Sequence, residues 1–136
     1  MTADAKRLRS IRRIADLRHQ LKRIEEIRLA HLHAEEAELN NKRQVLITAL
    51  NDDDALHGLF VDDMAGRLKR VNERQQALQP IKAFQTQRVL VQARHAKFAE
   101  TMIDKVSREV DAVQGKRELE GLIEQFLARK PDTSLP

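Results

Sequence analysis

The sequence predicts an all-α protein, a long antiparallel two-helix coiled-coil hairpin with a helical middle segment at its tip. Three observations lead there. Of the 136 residues 34% are charged and only four are aromatic, all Phe, which is too little bulky apolar surface for a thick layered core. Four Gly and three Pro are too few for the many tight turns of an all-β chain. Apolar residues recur at three-then-four spacing over long stretches without a helix breaker, the pattern of a helix that buries one narrow stripe against a partner. The length is room for one domain, residues 1–136.

A first arm is expected over residues 4–50. Thr2 and Asp4 suit its start, because a short polar side chain accepts bonds from the first free N–H groups and a negative charge favours that end of the helix dipole. Ile14, Leu17, Leu21 and Ile24 step by three and four, and Leu32, Leu39 and Leu46 follow at sevens. Between them Arg28, His31, Ala34 and Ala37 blur the stripe, which predicts a register shift and a thin, polar seam. Asn51, Asp52, Asp53 and Asp54 are turn and capping residues and end the arm. The middle segment, 51–80, reads as a helix from Ala55 to about Gln79 with Leu56, Phe60, Met64, Leu68, Val71 and Leu78 on its stripe. Pro80 lacks an amide hydrogen, so the helical ladder is expected to break there. A second arm, 81–130, carries Phe84, Val91, Phe98, Met102, Val106, Val110, Val113, Leu119, Ile123 and Phe126, and Pro131 opens a polar tail, 131–136.

The two arms are nearly equal, each about 70 Å of helix at 1.5 Å per residue. Equal lengths invite pairing, and an antiparallel alignment sets Leu8 against Phe126, Leu21 against Val113, Ile24 against Val110, Leu32 against Met102 and Leu50 against Phe84. A simpler hairpin turning near Gly66 is the alternative, and both bring the two termini together. Charge favours folding back over a parallel dimer. Residues 1–23 hold eight Lys/Arg against Asp4 and Asp16, and residues 67–99 hold eight against Glu73 alone. Residues 29–66 hold eight acids against Lys42 and Arg43. The hairpin places Glu35, Glu36 and Glu38 near Arg94 and Lys97, whereas a parallel dimer stacks base on base. A monomeric hairpin is expected.

Little catalytic chemistry is legible. The absence of Cys removes disulfides and thiolate metal sites and permits a reducing, cytoplasmic location. Gly115-Lys116 resembles the end of a phosphate loop, but Arg117 stands where a hydroxyl residue is needed and Val110 where a Gly is needed. Asp52 to Asp54 lack the alternating spacing of a calcium loop, since Leu56 occupies a ligand position. His31 and Glu35 are one turn apart without a second such pair, and His95 falls on an apolar stripe where a polar residue sets register. No enzyme, metal or cofactor is expected. No apolar run exceeds three residues, far short of the roughly 20 that a membrane span requires. The Arg-rich start has the composition of a transit peptide, but it runs unbroken into the amphipathic pattern and reads as mature helix.

One feature rises above this background: Lys6-Arg7-Leu8-Arg9-Ser10-Ile11-Arg12-Arg13, continuing to Arg18, Lys22 and Arg23. Four readings are open. The bases can form a solvated face that balances acids on the other arm, or neutralise nucleic-acid phosphates. They can lie on an anionic membrane, although the accompanying apolar face has no Trp or Phe. They can also dock onto an acidic protein ring or pore, which asks only for charge and a slender shape.

The chain also resembles the stalk proteins of flagellar export and type III secretion, the FliJ/YscO family. The likeness lies in its size and hairpin plan, in the opening Leu8-Arg9-Ser10-Ile11-Arg12-Arg13-Ile14-Ala15-Asp16-Leu17-Arg18, and in the closing stretch from Lys116 to Lys130. Glu124, Phe126 and Arg129 match the family's ending of acids, an apolar residue and then bases, and Gln125 stands where the family has a second acid. The resemblance implies a non-catalytic stalk whose joined termini enter a hexameric export ATPase, with the export gate and substrate chaperones as further partners. Arg7, Arg9, Arg12, Arg13, Arg18, Lys22 and Arg23 are then expected to supply the attraction, with Phe126 and Arg129 completing the terminal end. The competing function is a generic helical adaptor or a nucleic-acid-associated hairpin.

Overall fold

Two helices account for nearly all of the described chain. The computed structural model describes residues 2–52 and 57–129, with α1 at Ala3–Leu50 and α2 at His57–Arg129 packed against each other as an all-α hairpin. Among the described residues there is no strand. α1 begins where the sequence places a cap: Thr2 Oγ1 accepts the amide hydrogen of Ala5 at 3.2 Å, and Asp4 lies in the first turn. It ends at Leu50 with tightened bonds, Asn51 N–H donating to Ile47 O (3.1 Å) and Thr48 O (3.2 Å), and Asp52 N–H to Ala49 O (3.3 Å). Of the expected Asp cluster, Asp53 and Asp54 fall outside the described residues.

α2 corrects the expected three-segment plan. Pro80 lies inside a 73-residue helix rather than ending one, so residues 57–80 are no separate middle helix and Gly66 is no turn. The missing amide costs one ladder bond, and the helix continues past it with cross-helix contacts on both sides. Gln79 Nε2 and Lys82 Nζ both donate to Glu36 Oε2 on α1, at 3.1 and 2.5 Å, and Leu78, immediately before Gln79, is the most completely buried side chain among the described residues.

The chain divides into two compact units, each built from a stretch of both helices: 19–95, and 2–18 with 96–129. In the first, the core is Leu39 and Leu78 with a buried polar pair, Glu25 and Gln85. In the second it is Ala15, Ala96, Ala99 and Val106, three alanines and a valine, small enough to let helix backbones approach.

Both the stripe and the register differ from the sequence reading. Leu39 is in the seam, but Ile14, Leu17 and Ile24 are 54%, 56% and 45% exposed, as are Phe84, Val91 and Phe98 on α2. The expected stripe holds at Leu21, Leu32, Leu39 and Leu46 on α1 and at Leu78, Met102, Val106 and Val110 on α2, while toward the start of α1 the inward positions are Leu8, Ile11, Ala15 and Glu25 instead. Glu35 and Glu36 meet Arg74 and Lys82 rather than Arg94 and Lys97, and Arg7 meets Glu109. The physical reason is the connection. With no separate middle helix, α2 begins at His57, seven residues after Leu50, and Glu25, Glu35, Glu36 and Arg7 of α1 all meet an earlier part of α2 than the equal-arm alignment requires. The pairings of Leu8 with Phe126 and of Leu21 with Val113 belong to that alignment and are replaced.

Candidate functional site

The basic cluster lies at the start of α1. Arg9, Arg12 and Arg13 are exposed, and their spacing of three and four puts them on one helical face. Like charges at that spacing repel, by a few tenths of a kcal/mol per pair. None of the three makes an ion pair among the described residues. Arg7 is the exception to this openness, since its guanidinium lies 3.5 Å from Glu109 of α2 with both side chains about half exposed. Arg18 is half-buried on the seam side. These residues share a unit with Phe126 and Arg129, whereas Lys22 and Arg23 belong to the other unit, where Lys22 lies 3.6 Å from Glu26.

The other half of this unit is α2. Thr2, Asp4 and Ala5 surround one groove with Val110, Val113, Gln114 and Arg117, so the first residues of α1 stand level with Val110–Arg117. Residues 118–129 continue as helix for about 18 Å past that point. The expectation that the two ends come together is therefore corrected: the α2 end overhangs. Its side chains are exposed, with Leu119 at 58%, Leu122 at 63%, Ile123 at 50%, Phe126 at 71% and Leu127 at 62%. Their spacing places all five on one side of the helix. Arg129 sits in the last turn, where a cation is favoured by the helix dipole.

The unit 19–95 holds the polar machinery of the seam. Glu25 is buried and saturated: Gln85 Nε2 donates both to its carboxylate and, at 2.9 Å, to its backbone carbonyl, while Arg28 and Arg88 donate to Oε1 at 3.0 and 3.2 Å. The Gln85 hydrogen bond, followed by the Arg88 interaction, holds the Glu25 carboxyl below its ordinary value, against the opposing effect of burial. Arg74 grips Glu35 with two parallel bonds, 2.6 and 3.2 Å, which lowers the Glu35 carboxyl and raises the guanidinium. Lys82 and then Gln79 lower Glu36. A polar cleft beside this network is lined by His33, Asn40, Arg43, Asn72, Gln76 and Gln79 among others. These are structural contacts between helices, and among the described residues no three metal-binding side chains converge. No described helix is long and apolar enough to cross a membrane.

Two features escaped the sequence reading, the overhang and the exposed apolar face, because both follow from register. The competing stripe through Ala15 and Glu25 is the signal that could have revealed them. No family model, curated protein or solved structure matches the chain.

Proposed function

We propose that the protein is a non-catalytic coiled-coil stalk of a flagellar or type III export apparatus, docking its basic terminal end into a hexameric export ATPase. The observation that carries this reading is the face of Arg9, Arg12 and Arg13, three like charges held side by side with no ion pair of their own. Such an arrangement costs stability in the free chain and is recovered only against an anionic surface. The helical hairpin supplies a support for that face, and the resemblance of the opening and closing stretches names the partner. Phe126 and Arg129 on the overhang add an apolar and a cationic contact.

The test replaces Arg7, Arg9, Arg12 and Arg13 with Glu and measures binding to the assembled ATPase at low and high salt. Binding is expected to weaken about tenfold or more at low salt and to lose its salt dependence. Unchanged affinity and salt slope would refute the assignment. The same arginine face favours one second reading, nucleic acid, which predicts a steep salt slope with a labelled duplex that the ATPase reading does not need.

A further inference from the structure

The unit 19–95 carries an exposed apolar face. Ile27, Arg28 and His31 of α1 share a groove with Ile81 of α2. Ile24 precedes them by one turn, and Phe84 and Val91 follow Ile81 at the three-and-seven spacing that keeps residues on one side of a coiled-coil helix. These apolar side chains are between 41% and 64% exposed. The charge around them is positive. Arg28 and Arg88 share the single carboxylate of Glu25, which leaves one positive charge in excess, and the Arg88 guanidinium lies 5.8 Å over the Phe84 ring. Arg94, exposed, follows Val91 by one turn.

The overhang of α2 has the complementary character. Residues 118–127 contain Glu118, Glu120 and Glu124 and no base, the overhang's single cation being Arg129 in its last turn, and present Leu119, Leu122, Ile123, Phe126 and Leu127 on one side. Ten residues of helix are about 15 Å long, and the face from Ile81 to Arg94 is about 20 Å, so one fits along the other. Residues 81–94 and 118–127 both lie on α2.

We infer that the acidic overhang of one copy docks on the apolar, cation-rimmed face of a second copy. The mode is an amphipathic helix laid into the groove between two others, apolar side chains inward and glutamates against Arg28, Arg88 and Arg94. Pairing of like with like is disfavoured, since overhang against overhang opposes three glutamates to three glutamates and face against face opposes arginines to arginines. Each copy therefore offers one donor surface and one acceptor surface, and the contact is heterologous. This association requires no ATPase.

The experiment is sedimentation velocity on the full chain from low to high micromolar concentration at two ionic strengths. Concentration-dependent association that weakens with salt is expected. Phe126→Arg on the overhang and Phe84→Glu on the face should each weaken it about tenfold or more, because each puts a charge into the apolar contact. Both side chains are more than three-fifths exposed, so the helical circular dichroism of the variants should be unchanged. Mixing the two variants should restore a one-to-one dimer, since each retains the surface that the other lacks. A parent chain that stays monomeric throughout, a Phe126→Arg chain that associates as strongly as the parent, or a mixture of folded variants that stays monomeric would each overturn the inference.

Discussion

Leu78 and Phe84 are six residues apart on one helix and stand at opposite ends of the exposure scale, 0% and 64%. Truncating the first leaves a hole in the seam, and truncating the second removes atoms already in water. Leu78→Ala should cost about 2–5 kcal/mol in urea unfolding, while Phe84→Ala should fall within about 0.5 kcal/mol of the parent. A comparable loss in both would mean that Phe84 is covered in the folded state under the conditions of the measurement. The sequence reading placed both residues on apolar stripes and did not separate them. What separates them is a rotation of the helix by part of a turn. Ile14, Leu17 and Ile24 were misread on α1 for the same reason, because two apolar stripes lie side by side and spacing cannot say which one turns inward.

Pro80 poses the corresponding question for a whole element. A proline in a helix interior removes one hydrogen bond and crowds the carbonyl one turn back, about 3 kcal/mol less favourable than alanine. α2 continues through it because Gln79 and Lys82 are both tied to Glu36 and Leu78 is buried beside them. Pro80→Ala is therefore expected to raise the unfolding free energy by up to about 3 kcal/mol without changing helical content. A loss of stability in denaturant titration would show that the proline is needed in place. The bounds of α1 were legible in the sequence because Thr2 and Asn51 act through their own backbone neighbours. The continuity of α2 was not, since local chemistry argues for a break at Pro80 and only contacts from the other helix oppose it. The register inherited that error, as α2 was taken to begin pairing after residue 80.

At the scale of the molecule, the all-α class and the hairpin plan followed from composition and periodicity, and the placement of the charges did not. The acids of α1 find bases, as alternating charge blocks require, but at Arg74, Lys82 and Arg88 rather than farther along the chain. Glu25, Glu35 and Glu36 are all held below the ordinary carboxylate value of 4.5 by hydrogen-bonded partners. A carboxyl whose pKa is lowered by folding adds stability in full above its unfolded value, and that contribution disappears as pH falls through the folded value. Thermal stability should thus be level above pH 4.5 with respect to these three groups and should decline on acidification below it. Replacing all three by Gln should flatten the decline. A parent whose melting temperature does not fall below pH 4.5 would contradict the linkage.

The lone stretch of α2 also has a thermodynamic consequence. A dozen residues without a neighbouring helix sit near the length at which isolated helices are marginal in water. Gly121 lies within it, and a methyl group added there would meet nothing within 4 Å. Glycine in a helix interior costs about 0.5–1 kcal/mol relative to alanine, so it lowers the fraction of free molecules in which this stretch is wound. Any binder that grips the wound form has its apparent affinity reduced by that fraction. Gly121 is in this sense a dial on affinity, set by preorganisation and placed off the five side chains that make contact.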